Sequence, residues 1–118
     1  MSERFAVLDH DWPTPHRDLL LQSGGVLRAW RLPAQFDLHE PIPAEAIANH
    51  RLLYLDYEGP VGGDRGSVQR WDAGALEWLE GGEVQLRVRL SGQHFHGEFE
   101  LKQTDGKVWL VESPHPVD

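Results

Sequence analysis

Cysteine is absent from the 118 residues, which rules out both a disulfide framework and a thiolate metal site. No apolar run approaches the ~20 residues that a membrane-spanning helix needs. The opening MSERFAVLDHDW has neither the basic n-region nor the apolar h-region of a signal peptide. Basic residues are scarce: 11 Lys and Arg stand against 19 Asp and Glu, for a formal charge of −8. An acidic surface attracts nucleic-acid backbones poorly, because phosphate contacts rest on Lys and Arg. These absences lead to an expectation of one cytoplasmic domain over residues 1–118, with no membrane association and no fused polymerase or ligase domain.

What the sequence does have is strand signal. In VQLRVRL the residues Val84, Leu86, Val88 and Leu90 fall on one face, with Gln85, Arg87 and Arg89 on the other. EFELK alternates again, and the turn signal TDGK at 104–107 leads into VWLVE. RLLYLDYEG, SVQRWDAG, LEWLEGG and GGVLRAWRLP add further strand-like runs at short spacing, punctuated by glycine and proline. Such spacing predicts an all-β fold, a small closed or nearly closed antiparallel barrel with at most one short helix. Only PAEAIANH, residues 43–50, has helical composition. The closing SPHPVD reads as a loose tail.

The stretch HDWPTPHRDLLL places His10, Asp11, His16 and Asp18 within nine residues. If His16 opens a strand, alternation sends His16, Asp18 and Leu20 to one face and Arg17 and Leu19 to the other. His10 can then fold over the pair from the preceding loop. Two imidazoles and a carboxylate with open positions suit Mn²⁺ or Zn²⁺. Spacing alone leaves two readings, a metal site or a group of solvated polar residues near the N-terminus.

Several motifs in order resemble one family, the 3′-phosphoesterase domain of bacterial DNA ligase D. They are HDWPTPHRDLLLQSGGVL, LRAWRLP, NHRLLYLDYEG, RWDAG, VRLSGQHFHGEFELK and VWLVE, which together cover nearly the whole chain. The resemblance implies a β-barrel that hydrolyses phosphoesters at DNA 3′ ends. It implies that His10, His16 and Asp18 ligate a divalent metal, typically manganese, with zinc the alternative. It also implies that His50 and Tyr54 stand beside the scissile phosphate. A DNA 3′ end, or another phosphoester, is the implied substrate.

Three cations of the family's pattern are replaced here, by Leu20, Ala34 and Ala46. Leucine cannot make the two-pronged, charge-assisted contact of an arginine to phosphate. From the sequence no arginine is placed to make up the loss. Arg17 falls on the opposite face, and Arg51 adjoins His50 without a defined direction. Weak DNA binding is therefore expected. Two functions remain in competition: a phosphoesterase with altered or weakened activity, and a catalytically silent metal-binding or interaction module on the same barrel.

Overall fold

The structure is a computed structural model and describes residues 3–114. The tail expectation falls largely outside those residues. In chain order the elements are β1 (Glu3–His10), β2 (His16–Ser23), β3 (Val26–Pro33), β4 (Ile42–His50) and a 3₁₀ turn (Leu52–Leu55). They continue with β5 (Gly59–Pro60), β6 (Ser67–Glu80), β7 (Gln85–Ser91), β8 (His96–Asp105) and β9 (Val108–Glu112). Every strand pairing is antiparallel. The order β1-β2-β3-β4-β9-β8-β7-β6 closes through a β1–β6 pairing, and the two-residue β5 is added alongside β6. The predicted all-β barrel is therefore the fold, closed with eight strands. Among the described residues no helix is long and apolar enough to cross a membrane.

All eight barrel strands send side chains into one apolar cluster. It includes Phe5, Leu19, Trp30, Ile42, Leu76, Val88, Phe99 and Trp109, each 5% exposed or less. This cluster fills the lumen. The opposite parity of β1, β2 and β3 forms a second, smaller cluster of Ala6, Leu8, Leu20, Leu27 and Ala29 on the outer wall. Leu55 and Val68 cover it, with Tyr54, Tyr57 and Val61 packed against it. Burial on both faces explains why β2 reads HRDLLLQS, with Leu19, Leu20 and Leu21 all fully buried, instead of alternating strictly.

Two expectations are corrected and one conflict is resolved. Residues 43–50, helical by composition but a strand by the family resemblance, lie in β4. Ile42 and Ala44 feed the lumen core at period two, and the strand joins β3 on one side to β9 on the other, so a helix there would leave two ladders unpaired. RLLYLDYEG is no strand: it forms the 3₁₀ turn and a crossing segment outside the barrel, where Leu55 seals the second cluster. SVQRWDAG and LEWLEGG merge into the 14-residue β6. Gly74 permits this, because a Cβ there would lie 2.1 Å from the Ser91 carbonyl oxygen.

The motif aspartate of RWDAG has a structural task. Asp72, 4% exposed, accepts hydrogen bonds from the backbone N–H groups of Ala73, Gln93, His94 and Phe95. Its carboxylate thereby fixes the loop between β7 and β8.

Candidate metal and phosphate site

Register assembles the site on the outer wall. In the β1–β2 ladder His10 stands directly opposite His16, and Leu8 opposite Asp18. Directly paired residues point to the same face, so both histidines and Asp18 share the wall with Leu20. The imidazoles meet edge to face with centroids 4.8 Å apart.

Hydrogen bonding fixes which ring nitrogens face inward. The His10 Nε2 atom lies 2.9 Å from the Arg65 carbonyl, and His16 Nδ1 lies 2.8 Å from the Thr14 carbonyl. A carbonyl only accepts, so each of these nitrogens carries a proton, and in the neutral imidazole the other nitrogen carries the lone pair. The two lone-pair atoms, His10 Nδ1 and His16 Nε2, converge on Asp18 at 3.6 and 3.4 Å. One ligating atom from each of the three residues lies within 4.8 Å of the others. His16 Nε2 and Asp18 Oδ1 are buried and have no hydrogen-bond partner among the described residues.

This donor set fits a divalent transition metal. With both imidazoles neutral, two lone pairs and a carboxylate oxygen face one another, a donor set that a divalent cation satisfies. Ligands bound at about 2.0–2.2 Å with tetrahedral angles lie roughly 3.4 Å apart, close to the His–Asp separations seen. The second coordination requirement is also met, since each histidine's other nitrogen is anchored to backbone.

His50 reaches the same wall through a β-bulge. Leu27 and Ala29 of β3 pair with His50 and Ile47 of β4, so two steps on one strand span three on the other. Without the extra residue, His50 would turn to the lumen side. The bulge re-aims it. Its Nδ1–H donates to the Ala48 carbonyl at 2.9 Å, leaving Nε2 free to exchange a proton. Tyr54, on the 3₁₀ turn, packs edge-on against His50 with centroids 5.6 Å apart. The crossing segment is held down by Asp56, which accepts from Arg4, and by Glu58, which accepts from the backbone N–H of Arg70.

Two adjoining cavities, of about 230 and 340 Å³, open beside the cluster, and His10, Asp18, Arg31, His50 and Tyr54 line both. The five residues singled out in the sequence are thus brought together: four border the cavities, and His16 lies beneath as His10's ladder partner. Trp12 and Arg65 border the smaller cavity and Arg51 the larger. A larger open depression, about 650 Å³ between Glu3 and Arg89, gathers no comparable group of ligating residues.

The structure corrects two expectations about the cations. Leu20 shares the face of the ligands but is fully buried in the outer-wall cluster and lines neither cavity. Arginines are also present after all: Arg31, Arg51 and Arg65, three of the chain's nine, border the cavities. Of the other replaced positions, Ala46 pairs with Trp30 and packs against the lumen core, while Ala34 borders a third depression that His10 and His16 also line.

The loop carrying Arg65 is locked against the metal-side loop. Asp11 accepts from the Ser67 backbone N–H at 2.9 Å. Gly66 has φ +74°, and a Cβ there would stand 2.1 Å from Asp11 Oδ1 and 2.6 Å from Trp12 Cβ. This position requires glycine on both counts.

Comparison with known proteins agrees with this architecture. The sequence model of the DNA ligase D 3′-phosphoesterase domain matches residues 8–103. The multifunctional non-homologous end joining DNA repair protein LigD of Mycobacterium tuberculosis is 30% identical over 118 residues, covering 91% of this chain and 15% of that protein. LigD of Pseudomonas aeruginosa is 31% identical over 114 residues, covering 86% of this chain and 13% of the relative. LigD of Mycolicibacterium smegmatis is 26% identical over 128 residues, 93% of this chain and 16% of the relative. The chain therefore spans about one-seventh of the length of these relatives. With a match that runs from the last residues of β1 through most of β8, over residues 8–103, the chain belongs to the DNA ligase D 3′-phosphoesterase domain family.

Proposed function

We propose that residues 1–118 act as one metal-dependent phosphoesterase domain that removes a terminal phosphate or ribonucleotide from a DNA 3′ end. The observation that carries this reading is the convergence of His10 Nδ1, His16 Nε2 and the Asp18 carboxylate, two of whose buried atoms lack partners. A divalent metal held there, Mn²⁺ in preference to Zn²⁺, would polarise a non-bridging phosphate oxygen and activate a water. His10 and His16 are oriented for this by the carbonyls of Arg65 and Thr14. His50 binds the phosphate or delivers a proton from Nε2 to the leaving oxygen, with Nδ1 fixed by Ala48. Tyr54 packs on His50 and limits where its ring can stand.

DNA binding is proposed to be weak, in line with the −8 charge. The same charge, with Leu20 where the family pattern has a cation, favours a second reading, a metal-binding module without turnover. One experiment separates the two. A 3′-phosphate-terminated primer-template is incubated with the protein and Mn²⁺, and release of phosphate is followed. Release that disappears in His16→Ala, and falls by about 10²–10⁴ in His50→Ala, supports the enzyme. Mn²⁺ binding without release from either a 3′-phosphate or a 3′-ribonucleotide end supports the silent module.

A further inference from the structure

We propose that Arg31 is the phosphate-binding cation of this site, clamping a terminal phosphomonoester beside the His10–His16–Asp18 cluster. The proposal deepens the phosphoesterase reading, on which it rests for the identity of the substrate.

The case begins with a turn. Ser23 pairs with Val26 around Gly24-Gly25, so the β2–β3 hairpin has a two-residue loop, with Gly24 at φ +61°. That loop dictates every later pair, and Asp18 falls directly opposite Arg31. Paired side chains share a face with Cβ atoms about 5 Å apart. Arg31 thus rises from the outer wall next to the metal-facing carboxylate. Its stem follows Leu27 and Ala29, which belong to the covered apolar cluster.

Arg31 has no hydrogen bond or ion pair among the described residues, and its Nε is buried without an acceptor. Its ladder neighbours do not supply one. Asp18 lies on one side and Glu45 on the other, yet neither forms an ion pair with it, and Glu45 is exposed to solvent. The other cavity arginines are placed differently. Arg65 is exposed and its Nε–H already donates to the Gly62 carbonyl at 2.8 Å. Arg51 is exposed and borders only the larger cavity. Arg31 alone among the three borders both cavities, in company with His10, Asp18 and His50.

An uncommitted guanidinium next to a metal-type cluster and a histidine is a receptor for an anion with several oxygens. A guanidinium fork takes two oxygens. A monoester has three non-bridging oxygens, enough to serve the fork and still present one to the cluster. A diester has two and must give up one of these contacts. Arg31 should therefore favour monoester over diester ends.

The test measures binding as well as turnover. Inorganic phosphate and 3′-phosphothymidine are titrated calorimetrically into the metal-free and the Mn²⁺-loaded protein. Arg31→Gln should weaken both ligands roughly ten- to a hundredfold, with Mn²⁺ affinity unchanged. Arg31→Lys, which keeps the charge but not the fork, should lose less. On DNA ends, Arg31→Gln should slow 3′-phosphate removal more than 3′-ribonucleotide removal. A folded Arg31→Gln protein that binds Mn²⁺ and keeps wild-type phosphate affinity overturns the proposal, as does a wild-type protein that binds neither ligand. If Arg31→Gln does not fold, Arg31→Lys decides: undiminished affinity and unchanged monoester preference overturn the assignment, and a loss in both supports it. Arg31-dependent phosphate binding in a protein that takes up no metal supports the Arg31 assignment while sinking the metal reading.

Discussion

Asp18→Asn should separate the two consequences of the buried cluster. In the metal-free protein Asp18 is 3% exposed, its Oδ1 lacks a partner, and the nearest cluster atoms are His16 Nε2 and His10 Nδ1 at 3.4 and 3.6 Å. An asparagine has the same shape, carries no charge and can donate an N–H toward His16 Nε2. A buried unsatisfied group costs about 1–3 kcal/mol. With an unfolding entropy of roughly 2.1 cal/mol/K per residue, 1 kcal/mol corresponds to about 4 °C in a domain of this length. The metal-free variant should therefore melt no lower than the wild type, and up to several degrees higher. Metal should reverse the order. A ligand at a hundred times its Kd stabilises by about 2.7 kcal/mol, so Mn²⁺ should raise the wild-type Tm by about 10 °C and the variant's far less. Differential scanning fluorimetry with Mn²⁺ and with a chelator reads all four states. An equal Mn²⁺ shift in Asp18→Asn, or a metal-free variant many degrees less stable than the wild type, would refute the picture of a strained, cation-seeking cluster.

Leu20→Arg should not create a phosphate contact. With Leu20 fully buried among Ala6, Leu8 and Leu27, it should destabilise by several kcal/mol, and a melting curve matching the wild type would contradict this packing. Gly66→Ala, strained by φ +74° and by contact with Asp11 and Trp12, should cost about 1–3 kcal/mol and weaken Mn²⁺ binding through displacement of the His10 anchor. Unchanged calorimetric affinity would count against that coupling. Fluorescence anisotropy with a primer-template should show weak binding that fades further as salt rises, and tight binding at physiological salt would show that the cavity arginines outweigh the net charge.

Much of the barrel was legible because the β7–β9 alternation and the TDGK turn describe a meander by local rules alone. The outer-wall layer was harder to see. HRDLLL is buried on both faces, and its pattern does not say which leucine lines the lumen. Alternation put Leu20 on the ligands' face but gave no sign of its place under Leu55. RLLYLDYEG misled for a related reason: its hydrophobic residues cover a wall from outside, and nothing in their order distinguishes that from a strand. Spacing and resemblance singled out the three residues, but His10, expected in the preceding loop, closes β1 opposite His16, a register that alternation alone does not set. Arg31 was missed although the signal was present. Counting back from Gly24-Gly25 as a two-residue hairpin loop places position 31 opposite position 18. His50's orientation was not legible, because a bulge between Ile47 and His50 leaves no mark in composition.

The alternation along β2 gives this chain an uneven tolerance to kinds of mutation. Even-numbered positions from His16 to Leu20 belong to the chemistry side, and odd ones from Arg17 to Leu21 to the lumen side. Substitutions can therefore adjust one set while leaving the other in place, and drift in the lumen packing need not disturb the ligands. Length changes have no such freedom. Deleting a single residue between Leu19 and Leu21 would re-phase the strand, sending imidazole and carboxylate into a filled apolar interior while turning leucines toward the cavity. A library scanning β2 should consequently recover many point variants at 19 and 21 and essentially no single-residue insertions or deletions.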